Sequence, residues 1–272
     1  MKKITYLVAL LIISACQKEE TDGTPAYIKI DNITISNTTI TQNITDVWVY
    51  IDDQLQGAYE LPANFPVLAV GEHKLRVKAG IKSNGIASSR IAYPFYTSFI
   101  DTVIFTPDQR ITVNPTVSYL DSAHFAIFED FESPGVELEI TTISDTALLE
   151  FTDSLGNQYG GGVLNDSLVT FEIATDELLD LPQAGAPVFL ELDYKCNTQF
   201  IVGVYVNFPQ SVLQKDLLRI KPKDDWNKIY INLTSTISEG VGAESFKVFI
   251  GMKRDFSLYK NELYFDNVKL VY

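Results

Sequence analysis

Two antiparallel β-sandwiches in series are what this 272-residue chain predicts, and three observations carry that expectation. Stretches such as AYIKIDNITI, DVWVYIDD, HKLRVKAGI and RITVNPTVSYL alternate at period two and are rich in Val, Ile, Tyr and Thr, so each lays one apolar face on a core. Gly, Pro, Asn and Asp recur between them at intervals that suit turns. Helical signals are confined to brief stretches, TDELLDL and SVLQKDLLR.

Ahead of the first strand runs ITYLVALLIISACQKEE. Lys2 and Lys3 supply a positive start, Ile4 to Ile13 an apolar run, and Ser14-Ala15 the small residues that a signal peptidase needs beside its cut. As a helix that run reaches roughly 15 Å, about half of a ~30 Å hydrocarbon core, so it is too short to span. The cysteine directly after ISA resembles the lipobox of bacterial lipoproteins, which implies removal of residues 1–15 and lipid on Cys16. Several acyl chains, at about 0.8 kcal/mol per buried CH₂, anchor without spanning. The charged residues that follow, Lys18, Glu19 and Glu20, look like the export signal of Bacteroidota lipoproteins. That resemblance implies an outer-membrane, lipid-anchored protein facing the cell exterior; plain solvation of a tether is the alternative.

About 257 residues remain after such processing, enough for two domains of ordinary size. Cys196 is then the only cysteine besides the lipidated one, so no internal disulfide can form and the cores must hold without staples. The net charge of −14, with no cluster of Lys and Arg, excludes nucleic acid as a partner. Acidity favours solubility and supplies carboxylates for Ca²⁺.

A tether over residues 16–25 leads into a first sandwich over 26–120. Its VYIDDQLQG reads as a hairpin and VGEHKLRV as the return strand, and together they resemble the PEGA-type module of Ig-like fold, which implies a spacer. A second unit, over 125–272, strings together LLEFTD, SLVTFEIAT, PVFLELDYKC, QFIVGVYVNF, WNKIYINLT, SFKVFIGM and ELYFDNVKLVY. The order FEDFES, FLELDYK, DWNKIYINLT and ELYFDNVKLVY resembles the jelly rolls of carbohydrate-binding modules and related galactose-binding-like domains. The resemblance implies a polysaccharide partner and a structural Ca²⁺ between the first and last strands, on Glu132 and Asp266. Asp130 joins them because it shares the strand face of Glu132. A hard cation takes six to eight oxygens and the sequence fixes two or three, so a solvated acidic edge remains open.

Tyr159, in GNQYGGG, is expected on an exposed glycine loop and is the first choice for stacking on a sugar, with Asn157 and Gln158 beside it. Trp226, in DDWNKIYINL, matches a position that in the related modules packs beneath the sheet, and core packing is expected for it. Phe208 and Tyr259 are weaker choices for ligand contact. His73 and His124 lack partners at metal-ligand spacing, no Gly-x-Ser-x-Gly elbow occurs, and Cys196 has no identifiable histidine. A glycosidase pair could hide among so many carboxylates, but the expectation is a protein that is not an enzyme. Five Asp-Ser/Thr-apolar tripeptides look like O-glycosylation acceptors of exported Bacteroidota proteins, at Thr102, Ser122, Thr146, Ser154 and Ser167; turn initiation by Asp is the alternative.

Two functions remain. One is a surface lipoprotein that binds glycan through its C-terminal jelly roll. The other is a non-enzymatic accessory or structural subunit of an outer-membrane secretion, gliding, adhesion or uptake complex.

Overall fold

A computed structural model describes residues 23–37 and 41–272. Cys16, Lys18, Glu19 and Glu20 lie outside the described residues. In the first unit β1 (Ala26–Ile30) runs between β5 (Ala63–Val67) and β9 (Arg110–Thr112). A second sheet has the order β4 (Gln54–Glu60), β3 (Asp46–Ile51), β6 (Gly71–Lys82), β7 (Arg90–Ala92), with β8 (Ser98–Phe105) also on β6. Strands β2 (Thr34–Ile35) and β10 (Thr116–Val117) form a small parallel pair. Ile28 and Ile30 of one sheet and Val47, Val49, Leu75 and Val77 of the other share one buried cluster.

The expected hairpin is β3–β4. Asp52 and Asp53 connect it with φ of 47° and 64°, the pair of left-handed residues that a two-residue turn of the right twist demands. The Asp52 carboxylate accepts from the Lys74 amide at 3.0 Å and lies 2.6 Å from the His73 ring, so that histidine serves the turn.

The second unit is a jelly roll of two sheets. One has the order β13 (Leu149–Thr152), β14 (Gln158–Leu164), β21 (Asn261–Val271), β16 (Phe189–Cys196), β19 (Lys223–Asn232), with β11 (Phe125–Glu129) also on β21. The other runs β12 (Leu138–Ile140), β15 (Thr170–Thr175), β20 (Ser245–Lys253), β17 (Phe200–Phe208), β18 (Ser211–Ile220). Between them lies a second buried cluster, with Leu190, Leu192, Ile229, Phe265, Val202 and Ile250 among its members.

Two local expectations are corrected. SVLQKDLLR is not helical but forms β18, because its full-length pairing with β17 outweighs the helix propensity of Leu, Gln and Lys. The helix that does form among the described residues is Thr234–Glu239. GNQYGGG is likewise not a free loop, since Tyr159 and the three glycines belong to β14. A Cβ at Gly160 would lie 2.3 Å from the Phe131 ring, and one at Gly162 2.4 Å from Phe171. These glycines are buried because aromatic rings press on the backbone from both faces.

The two units share a packed joint. Phe189, Tyr230 and Val271, from three strands of the jelly roll, belong to the apolar cluster of the first unit, where Tyr93 meets Phe189 edge-on at 5.4 Å. Hydrogen bonds reinforce it: the Asn84 amide donates to Tyr230 O at 2.8 Å, and the Asn232 amide donates to the Asn84 side-chain Oδ1 at 2.8 Å. The first unit is therefore docked on the jelly roll.

Adding a methyl group under Phe171 should strain the jelly-roll core. Gly162→Ala is expected to lower unfolding free energy by about 1–3 kcal/mol in urea denaturation. An unchanged midpoint would contradict the packing described for β14.

Candidate functional site

The outer face of the larger jelly-roll sheet carries a patterned set of side chains. Along β16, Leu190, Leu192, Tyr194 and Cys196 enter the core, so Phe189, Glu191 and Asp193 point the other way. On β19, Ile229 and Ile231 enter the core and Trp226, Lys228 and Tyr230 share the outer face. On β21, Phe265 and Val268 both face the core, which requires an irregularity at Asn267, whose φ is 51°. That bulge puts Asp266 and Lys269 on the outer face together.

Register then sets two rows across β19, β16 and β21. Glu191 pairs with Tyr230 on one side and Lys269 on the other, and Asp193 pairs with Lys228 and with Asp266. The first row lies under the docked unit. Glu191 is fully buried and accepts from the Tyr93 hydroxyl at 2.5 Å and the Tyr119 hydroxyl at 2.8 and 2.9 Å. Lys228 Nζ lies 3.3 Å from Glu191 Oε2, near enough for Coulombic attraction but without a hydrogen bond.

The second row floors an open cleft of about 1030 Å³. Tyr159 and Trp226 wall one side, and Tyr119, Phe125 and Phe128 another. Trp226 is 45% exposed, which corrects the expectation of a core residue: its place in β19 has outer-face parity, and the docked unit stops short of it. Its ring meets Tyr159 edge-to-face at 5.3 Å, and Tyr159 is half-buried against Phe151 and Tyr264. The residue best placed to receive a flat ligand face is therefore Trp226, with Tyr159 as its buttress. Residues of the first unit also line the cleft, and the Thr41 hydroxyl donates to Asp193 Oδ2 at 2.6 Å.

Burial dominates the electrostatics. It pushes the Asp266 carboxyl up to about 7, helped by the negative charges of Asp193, Asp130 and Glu132 and opposed by the Asn267 amide. Burial, with Lys228 nearby, pulls the Lys269 ammonium down to about 8. Lys269 lies over the rings of Phe128 at 4.8 Å and Tyr119 at 5.8 Å.

No family model matches the chain, and no curated protein matches it. Several solved structures align with about half of it. The xylan-binding domain from CBM 22 does so at 13% identity over 56% of this chain and 96% of that one, with a TM-score of 0.39. The family 30 carbohydrate-binding module of Clostridium thermocellum cellulase Cel9D-Cel44B matches at 18% identity over 54% and 92%, TM-score 0.37. For the CBM22-1–GH10 modules of C. thermocellum xylanase 10B, complexed with xylohexaose, the values are 13% identity, 54% of this chain, only 28% of that one, and a TM-score of 0.42.

Of the other expected site residues, Asn157, Gln158, Asp130, Glu132 and Asp266 all line the cleft. The acids put forward for Ca²⁺ are engaged locally: Glu132 Oε1 accepts from the Gln158 amide at 2.7 Å, Asp130 Oδ1 from the Glu132 amide at 3.2 Å, and Asp266 from the Asn267 amide at 2.6 Å. Among the described residues no group of three or more His, Cys, Asp or Glu side chains gathers as a metal centre. Phe208 packs against the core, and Tyr259 is 87% exposed, away from the cleft lining. Cys196 is buried and its thiol is pushed up by that burial. Thr102, Ser122, Ser154 and Ser167 are exposed and Thr146 is half-buried; Asp101, Asp145 and Asp153 before three of them accept nearby backbone amides.

Sequence reasoning missed Thr41, Tyr119, Glu191, Asp193, Lys228 and Lys269. One signal was present: Glu191 and Asp193 alternate with Leu190, Leu192 and Tyr194 along a central strand.

Because Asp266 holds its proton more tightly folded than unfolded, its contribution to stability is full below about pH 4, the ordinary Asp range, and is lost as pH rises through about 7. Asp266→Asn should flatten that fall and leave the variant the more stable form above neutrality. Parallel stability–pH curves for the two proteins would contradict the assignment.

Proposed function

We propose that the protein binds glycan in the cleft between its two units and is not an enzyme. One observation carries this reading: an aromatic-walled groove with acidic side chains along its floor. Sugars present apolar C–H faces and hydroxyl edges, and Trp226 beside Tyr159 offers a surface for the first. Asp193 and Asp266 in register offer partners for the second, since a sugar hydroxyl can donate to a carboxyl oxygen. An open cleft that replaces water by similar hydrogen bonds binds modestly, with Kd of roughly 10 µM to 1 mM.

Trp226→Ala should weaken binding of oligosaccharide at least tenfold, while changing stability by about 1 kcal/mol or less because the ring is half exposed. Calorimetric titration with neutral plant and microbial polysaccharides checks it. Wild-type affinity in a folded Trp226→Ala protein would remove the cleft from the account, and co-purification of an outer-membrane protein complex without any glycan binding would favour the accessory-subunit reading.

The N-terminal segment completes the proposal. With lipid on Cys16 and Lys18, Glu19 and Glu20 directing export, the cleft faces the medium from the outer membrane, where polysaccharide is met. Cys16→Ser should abolish incorporation of a fatty-acid probe. Equal labelling of wild type and variant would overturn the anchor.

A further inference from the structure

The charges in the cleft differ in sign along its floor, and that order selects among glycans. Five carboxylates line it, from Asp130, Glu132, Asp153, Asp193 and Asp266, against the two ammonium groups of Lys228 and Lys269. Neither lysine is an open anion site. Lys269 is buried beneath the Phe128 and Tyr119 rings, and Lys228 faces buried Glu191.

The carboxylates nevertheless point to a ligand. Lys228 Nζ is enclosed and faces Glu191 at 3.3 Å, so it leaves the neighbouring acids to the open floor. Next to it in register comes Asp193, and next to that Asp266. Two carboxylates directly opposite across antiparallel strands repel one another. Among the described residues no cation forms an ion pair with either. Thr41 satisfies one oxygen of Asp193, and Asp266 accepts from its neighbour Asn267.

The complement of two acceptors side by side is a group that donates strongly. An ammonium on a sugar ring supplies it, lying between Asp193 and Asp266. A uronic acid would instead bring a further negative charge to the carboxylate pair. Building on the glycan-binding reading above, we propose that the cleft favours glycans carrying free amino groups over neutral ones and rejects acidic ones, with Asp193 and Asp266 as the selecting residues.

Calorimetric titration of the whole protein with three hexasaccharides tests this: cellohexaose, fully deacetylated chitohexaose and hexagalacturonate, at neutral pH, where Asp266 is part ionised. The deacetylated chitohexaose should bind about tenfold tighter than cellohexaose or better, as a charge-assisted contact allows, and hexagalacturonate should not bind. Asp193→Asn, with folding checked by its melting temperature, should bring the amino-to-neutral affinity ratio close to one, whatever happens to the cellohexaose affinity itself. Should Asp193→Asn fail to fold, Asp266→Asn carries the same expectation. Binding of hexagalacturonate as tight as that of cellohexaose, or a ratio unmoved by the substitution, overturns the selectivity while leaving a glycan-binding cleft in place. Absence of binding by all three hexasaccharides overturns the glycan reading and this inference with it.

Discussion

A carboxylate with no access to water governs the architecture. Glu191 projects from the outer face of a central strand, where an open jelly roll would leave it solvated, yet it is fully buried. An ionisable group in that position is tolerated only when its oxygens are satisfied, and an unpartnered one would cost several kcal/mol. Two tyrosine hydroxyls from the first unit and a lysine from the neighbouring strand meet that demand. The apolar residues around the carboxylate, Phe189, Tyr230 and Val271, complete the core of the other unit. Polar and apolar parts of the joint therefore fix the same docking position, the polar part by geometry and the apolar part by area.

What the docked unit leaves uncovered becomes the cleft. Its edge falls one register step beyond Glu191, between the row that holds Lys269 and the row that holds Asp193 and Asp266. The same low-dielectric surroundings that tighten the joint reach into the floor, raising the Asp266 carboxyl and depressing the Lys269 ammonium. Thr41 carries the first unit into the site itself, and the Asn43 side chain, donating to Lys228 O at 2.9 Å, ties the same segment to the strand that bears Lys228 and Trp226. The cleft and the domain joint thus share one sheet face.

Much of the architecture was legible because period-two alternation is a direct imprint of a half-buried strand. The hairpin at Asp52-Asp53 could be read from its flanking strands, and so could the jelly-roll order through the closing FDNVKLVY. Three local errors have distinct causes. Glycines signal loops on average, but Gly160 and Gly162 are there because Phe131 and Phe171 occupy the space a side chain would take. Leucines and lysines in SVLQKDLLR suggested a helix that strand pairing overrode. Trp226 looked like core because the position it matches in the related modules packs beneath the sheet, whereas its parity in β19, shared with Lys228, already placed it outside. The partnership of Glu191 with Tyr93 and Tyr119 could not be read at all, since it depends on how two sandwiches dock, and separations of 98 and 72 residues leave no local pattern.

Whether the joint makes one structural body is the claim on which the cleft depends, and calorimetric unfolding of the whole protein tests it most directly. Two units coupled through Glu191 and a shared apolar core should melt in a single transition, with calorimetric and van't Hoff enthalpies equal. Two separable transitions, with the first unit melting while the jelly roll stays folded and still binds ligand, would contradict the account.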